Sequence, residues 1–286
     1  MTILSSIVQV ANECGYTVDT TRAIGATDPT TVQLLAMGQR IIREIGEAYP
    51  WTKLYKNGSI TLVSGDNYYA LPADFSYYHH DTFWNSSQRW PMYGPLSPQY
   101  EADIIGYGLT AATYSQFQIR GIADKRFYIY PTPSASGDVV TYQYMAARYV
   151  RPRQWVTGMQ VTSGSYCFNN GNYYTAGSTG VAGATPPVNT SGSQSDGTIT
   201  WTFYDGEYTT FLADTDVSLF SERVFEQGLK ERFAEIKQLA FEPRFIAQLN
   251  EEFSRDIPGQ TIYAGDYWSD YVLQARSGTV VFGRPL

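Results

Sequence analysis

Histidine and cysteine are nearly missing from this chain, with two of each in 286 residues. The histidines are neighbours, His79 and His80, so on a strand they point to opposite faces and cannot share one metal ion. The same scarcity leaves only that pair as a base for a Ser/His/Asp or Cys/His triad, and no nucleophile elbow accompanies it. Cys14 and Cys167 lie in different segments without a C-x-x-C spacing. That argues against a disulfide framework or a zinc site and fits folding in a reducing compartment. Charge is also thin: 16% of residues are Asp, Glu, Lys or Arg, and 20 basic against 27 acidic residues leave a net charge of -7. Such a chain lacks the surplus of cations with which proteins grip DNA or an anionic membrane nonspecifically. No apolar run of about 18 residues occurs, and Met1 to Ser6 has no basic region, so neither a membrane span nor a signal peptide is expected. Gly177 to Gly183 is glycine-rich but lacks the Lys-Ser/Thr pair and following helix of a phosphate cradle, and reads as a loop.

What the chain does have is apolar and aromatic mass: 43% hydrophobic residues, 24 Tyr and 6 Trp. The length corresponds to roughly two domains at about 150 residues each, and an uncharged, ring-rich surface suits contacts with other molecules. The order of elements reads as α+β: a helical bundle with a β-rich middle, an inserted small all-β domain and an extended C-terminal tail. Helices are expected over 2–14, where Thr2 is the N-cap, and over 28–49, where Asp28 caps and Pro29 takes the first helical position. Two more are expected over 216–241 and 244–255, with Pro243 between them. From Asn57 the period falls to two. Ile60 and Leu62 with Tyr68 to Leu71 flank Ser64-Gly65-Asp66-Asn67, a strand, turn, strand pattern. Further strands are expected at Tyr78 to Trp84, Tyr114 to Arg120, Lys125 to Tyr130 and Val139 to Tyr149, with a short helix at Ser97 to Gly106.

Between Gln154 and Tyr204 the composition changes: Asp196 is the single charged residue among eight Gly and fifteen Ser or Thr. This marks 154–204 as an inserted β-domain, immunoglobulin-like or carbohydrate-binding-like, within a discontinuous core of 1–153 and 205–286. Alternation puts Ile199, Trp201 and Phe203 on one face as its core, while Tyr173 and Tyr174 fall on opposite faces and are candidates for an interaction surface. The carboxylate pairs Asp205/Glu207 and Asp214/Asp216 could serve a glycan-degrading enzyme. As loop and cap acids ahead of a helix, Asp214 and Asp216 are explained without catalysis. The aromatics of the insert leave a second alternative, a tail-associated carbohydrate-binding protein. No catalytic, cofactor or metal residue is assigned.

Several strings, taken in order, resemble the head-to-tail adaptor (connector) proteins of short-tailed bacteriophages. These are Gly25-Ala26-Thr27-Asp28-Pro29, Tyr49-Pro50-Trp51, Leu71-Pro72-Ala73-Asp74-Phe75, Asp81-Thr82-Phe83-Trp84-Asn85, Pro91 to Pro98 and Phe211 to Asp216. The insert separately resembles β-modules of phage structural proteins through Tyr174 to Gly177, Pro186-Pro187 and Ser195 to Thr202. The resemblance implies a non-enzymatic virion protein without cofactor, assembled in the host cytoplasm and located at the neck. It implies a ring, commonly of twelve subunits, joining the portal to the tail tube or nozzle, with genomic DNA passing through without specific binding and with no membrane contact. Tail fibres are a further partner for the insert. The tail from Asp266 to Leu286, carrying Tyr267, Trp268, Tyr271, Val280, Val281 and Phe282, is then expected to be an arm reaching a neighbouring subunit or the portal.

Overall fold

The computed structural model describes residues 1–79, 81–107, 115–121 and 125–256, and the strand pairs at 272–273 and 280–281. The fold is α+β, and its contacts divide it into two compact units. One holds Met1–Trp51 and the chain from Ala147 to the last helix. The other holds Thr52–Ala146.

The first unit opens with helix α1 (Ile3–Glu13), where Thr2 Oγ1 accepts the Ser5 N–H at 3.3 Å and Ile3, Ile7, Val10 and Ala11 are buried. Gly15, at φ +77°, turns the chain away, a conformation that glycine adopts without a Cβ penalty. Helix α2 (Pro29–Ala48) begins behind Asp28, whose Oδ2 accepts the Thr31 N–H at 2.8 Å, and buries Leu34, Ile41, Ile42 and Ile45. It stops at Tyr49, which is extended because the following Pro50 disfavours helical geometry there. Trp51 is fully buried, donating Nε1–H to the Ile45 carbonyl at 2.7 Å and packing on Phe220 and Phe253.

The second unit is β-rich. Strands β1 (Tyr55–Thr61), β2 (Tyr68–Ala70), β3 (Phe75–Tyr78), β4 (Trp84–Asn85) and β5 (Trp90–Pro91) precede helix α3 (Pro98–Gly106). Strands β6 (Gln116–Arg120), β7 (Arg126–Tyr130) and β8 (Val139–Ala146) follow. One sheet has the order β1-β8-β4-β5 with β3 also on β8, and the other β2-β7-β6. The strand, turn, strand expectation at 60–71 is therefore corrected: β1 pairs with β8 and β2 with β7, in different sheets. The turn chemistry at Gly65 is real, φ +85°, but β8 pairs with all seven residues of β1, more than the three residues of β2 could. The core joins Phe83, Phe117, Phe127, Ile129, Val140 and Tyr142, with Phe83 stacked on Tyr142 at 4.9 Å and on Phe127 at 5.3 Å. Asp74, 1% exposed, accepts from Tyr144 Oη and Lys56 Nζ, both at 2.8 Å.

Back in the first unit, β9 (Val150–Arg151) leads to β10 (Gln160–Val161), β11 (Tyr166–Asn169), β12 (Asn172–Ala176), β13 (Gly180–Val181), β14 (Ser193–Asp196) and β15 (Ile199–Tyr204). The sheet order is β11-β12-β15-β14, with β10 and β13 forming a separate pair. Two tight turns connect strands of this sheet. Asn170 and Gly171, at φ +47° and +83°, connect β11 to β12, and Gly197, at φ +62°, lies between β14 and β15.

Strand β16 (Val217–Ser218) then pairs with β9, and the helix expected over 216–241 starts only at Glu222, as α4 (Glu222–Lys237). Asp216 explains the delay, because its carboxylate accepts N–H groups that precede it in the chain and so does not cap a following turn. Gln238 ends α4 in the left-handed region, φ +54°. Glu231 of α4 accepts the Arg244 and Phe245 N–H groups and so caps α5 (Phe245–Asp256), whose N terminus has no acid of its own. Helix α4 packs on α1, α2 and α5. Strands β17 (Val272–Leu273) and β18 (Val280–Val281) pair antiparallel. Tyr267, Trp268, Tyr271 and Phe282 of the expected arm lie outside the described residues, as does His80.

Close approach makes Gly46 the most constrained position of α2: a Cβ there would stand 2.5 Å from the Tyr149 ring, whereas one at Gly38 would meet Ile3 and Phe225 at 3.4 Å. Gly46→Ala is expected to destabilise the protein by about 1–3 kcal/mol through overpacking, and Gly38→Ala to be near neutral. Urea midpoints at unchanged slope test the contrast.

Candidate functional site

Polar chemistry in the first unit concentrates where residues 154–204 leave and rejoin the helices. The Tyr208 N–H donates to the Ala147 carbonyl at 2.8 Å and its carbonyl accepts from Tyr149 N–H at 3.0 Å, so the outgoing and returning chains run side by side. Arg148, 3% exposed, donates to the Tyr204 carbonyl at 3.1 Å and lies 4.6 Å above the Tyr173 ring. A guanidinium is buried here by stacking and hydrogen bonding. Tyr173 donates its hydroxyl to the Val150 carbonyl at 3.0 Å and packs on Tyr208, which also meets Tyr166.

The expected interaction surface at Tyr173 and Tyr174 is corrected by this arrangement. Both rings are buried, 3% and 0% exposed. They do occupy opposite faces of β12, but both faces are covered. Tyr173 seals the sheet against Arg148, Val150 and Tyr208, and Tyr174 sits in the sheet's own core with Cys167, Ile199 and Trp201, donating to the Asn189 carbonyl at 3.1 Å.

The acids that could have formed a catalytic pair bind backbone. Asp214 Oδ1 accepts the Ala23 and Ile24 N–H groups at 2.8 and 2.7 Å. Asp216 Oδ2 accepts Leu212 N–H at 2.7 Å, Ala213 N–H at 3.0 Å and the Tyr208 hydroxyl at 3.0 Å. Burial raises the pKa of Asp216, opposed by those two N–H groups and the hydroxyl. Burial and the neighbouring carboxylate also hold the Tyr208 phenol protonated. Gln39 of α2 closes the same loop with two bonds, each 2.8 Å, from its amide to the Phe211 carbonyl and from Phe211 N–H to its carbonyl. Asp205 and Glu207 remain exposed.

Within 154–204 the single charge is internal. Asp196, 1% exposed, accepts both indole N–H groups, from Trp155 at 3.0 Å and Trp201 at 3.2 Å, and the Thr185 N–H at 3.2 Å. Gly183 lies against it, since a Cβ there would stand 2.6 Å from Asp196 Oδ1. The glycines of the 177–183 stretch thus serve packing. Cys167 is fully buried beside this core, its thiol pushed up to about 12 by burial and then by the Asp196 charge, and a protonated thiol is a poor nucleophile and metal ligand. No group of His, Cys, Asp and Glu fit to hold a metal ion occurs among the described residues.

In the second unit the surface carries aromatic rings: Tyr68 at 50% exposure, Trp84 at 42%, Trp90 at 47%, Tyr93 at 51% and Tyr107 at 79%. The signal was available in the alternation, since Phe83 and Asn85 are buried on either side of exposed Trp84. Arg126 and Arg120 lie over Tyr68 and Tyr128, at 5.4 and 5.0 Å. Arginine and tyrosine are enriched where proteins meet.

Removing the Asp196 carboxylate takes the acceptor from the buried Trp201 indole N–H and from the part-buried Trp155 and Thr185 N–H groups. Asp196→Ala is expected to destabilise the 154–204 fold by about 2–4 kcal/mol, read as loss of the protected tryptophan emission of Trp155 and Trp201 at lower urea.

The sequence model of a family described as SU10 adaptor protein matches residues 1–176. No curated protein matches the chain.

Proposed function

The chain belongs to the SU10 adaptor protein family and has a structural role as a phage head-to-tail adaptor; from that premise we propose that it works as a closed ring in the virion neck. Twelve copies join the portal to the tail tube or nozzle, and the genome passes through the opening. The observation that carries this reading is the family match over more than half the chain, which runs through α1, α2, the whole second unit and the strands up to β12. A ring needs subunits whose weak contacts act together, and surfaces rich in rings and poor in charge favour such contacts. The net charge of -7 suits a conduit, because a negative wall repels phosphate and lets DNA slide. None of the described helices is long and apolar enough to cross a membrane, consistent with work at a protein joint.

The reading is non-enzymatic. It is supported by the way Asp214, Asp216, Asp196 and Asp74 are each held by backbone or side-chain donors, so that their chemistry is spent on the fold. Residues 154–204 are a module inserted in a core of 1–153 and 205–286. The adjacent exit and return at Ala147 to Val150 and Tyr208 favour that boundary. A tail fibre is the partner we assign to this module, and the segment 266–286 is the arm that engages the portal or the next subunit.

Negative-stain images of the purified chain, alone and mixed with portal, are expected to show rings that stack on the portal; a persistent monomer in both would overturn the reading. Truncation of 266–286 should leave the subunit folded and reduce portal joining, and undiminished joining would remove the arm. Deleting 154–204 is expected to leave helices α1, α2, α4 and α5 folded at lower stability, because Arg148 loses Tyr173 and Tyr204. Combining the deletion with Arg148→Leu should restore part of the lost thermal midpoint.

A further inference from the structure

A sheet face open to water usually carries charge on its outward positions, and one face of the second unit does not. Alternation along β1 and β8 turns Ile60, Val140, Tyr142 and Tyr144 into the core. The opposite face then receives Asn57, Ser59 and Thr61 from β1 and Thr141 and Gln143 from β8. The register places Asn57 opposite Gln143, and Ser59 opposite Thr141. Thr141 is in turn the partner of Trp84 in β4, so directly opposed residues form a row Ser59, Thr141, Trp84 on one face. Beside it Thr82 Oγ1 accepts the Gln143 N–H at 3.1 Å. The one lysine of β1, Lys56, belongs to the inner side, where it pairs with Asp74.

A shallow cleft of about 600 Å³ lies on this face, lined by Asn57, Ser59, Thr82, Thr141 and Gln143 together with Gly58 and Tyr142. That is within the range of about 300–1,000 Å³ of clefts that hold small molecules. The Asn57 and Gln143 side-chain amides and the Ser59 hydroxyl make no hydrogen bond among the described residues, and Trp84 is 42% exposed. Each amide offers both donors and an acceptor. A charged ligand would find no counter-charge in this lining, and a purely apolar one would cover the amides without satisfying them. The chemistry that matches is a flat molecule with apolar ring faces and a rim of hydroxyls that donate and accept.

We propose that this face binds a neutral oligosaccharide. The Trp84 ring stacks on one sugar, and Asn57 and Gln143 exchange hydrogen bonds with hydroxyls of the next. The site is separate from residues 154–204, whose aromatic rings are largely taken up by packing, and it does not rest on the ring reading above.

The test uses the full chain against an array of neutral hexose oligosaccharides derived from starch, cellulose, mannan and galactan, followed by calorimetry on the best. Micromolar to millimolar binding is expected, falling at least about tenfold in Trp84→Ala and in Asn57→Ala/Gln143→Ala. Trp90→Ala should bind as the parent does. Trp90 is also exposed, but its register partner is Asn85, which puts it on the other side of the hairpin. Thermal midpoints establish that each variant is folded, and the amide pair at exposed positions decides the matter should Trp84→Ala fold poorly. The proposal is overturned by failure of every neutral oligosaccharide to bind, or by binding that survives both changes. Preference for charged glycans overturns it too, as does an effect of Trp84→Ala confined to association between protein chains.

Discussion

The first unit depends on how the backbone amides of Tyr208 to Asp216 are satisfied. This segment is neither helix nor strand for most of its length, so its N–H groups have no ladder to join, and a buried unpaired N–H costs about as much as a whole hydrogen bond. Side chains from separate parts of the sequence meet the need: Gln39 from α2 at Phe211, and Asp216 at Leu212 and Ala213. The segment repays this by binding its neighbours. Asp214 takes the amides of Ala23 and Ile24, and the Asp216 carbonyl accepts the Ile3 N–H at 2.8 Å where α1 begins. Both N-terminal helices are thereby positioned by a loop some two hundred residues further along the chain. Packing of α4 on α1 and α2 then completes an arrangement that the loop has oriented.

The use of charge follows the same logic. In a chain with so few ionised groups, three of the aspartates are almost wholly buried, at Asp74, Asp196 and Asp216. Each accepts two or more hydrogen bonds from groups fixed elsewhere in its unit. A buried carboxylate costs several kcal/mol unless its oxygens are met, so an acid placed this way specifies geometry: a competing arrangement of the same segments would leave it exposed to that cost. Asp196 shows the effect most clearly, because two indoles and an amide converge on one residue beside the core of Cys167 and Trp201. These acids read as organisers of the fold.

Legibility in the sequence followed the range of the interaction. The starts of α1 and α2 were readable at Thr2 and Asp28-Pro29 because a cap acts within three residues. The partners of β1 and β2 were not readable, since the turn between them is compatible with a hairpin and only the distant β8 and β7 decide otherwise. At 216–221 the apolar spacing is compatible with a helix, yet Asp216 engages amides behind it and the chain stays extended into β16. Tyr173 and Tyr174 illustrate a limit of period-two reasoning. Alternation says that neighbours face opposite ways, and it cannot say that a buried arginine and a second tyrosine wait on the outer side. The uncharged face carrying Trp84 was present in the pattern of β1 and β8, but its continuity across strands needs the register.

The docking of residues 154–204 bears on what such a segment can transmit. A module tied only by its two linkers would swing, and any partner bound to it would act on the core through a flexible tether with a correspondingly low effective concentration. Here the sheet is fixed to the helical unit by the Tyr173 hydroxyl on Val150, by Arg148 between Tyr173 and the Tyr204 carbonyl, and by ring contacts of Tyr166 and Tyr173 with Tyr208. Tyr208 in turn holds Asp216, whose other contacts set the entry to α1. The sheet and the helices are therefore joined through a short chain of hydrogen-bonded and ring-packed groups. In an adaptor, whose task is to keep two large assemblies in register, rigidity at that root matters more than affinity at any single surface contact.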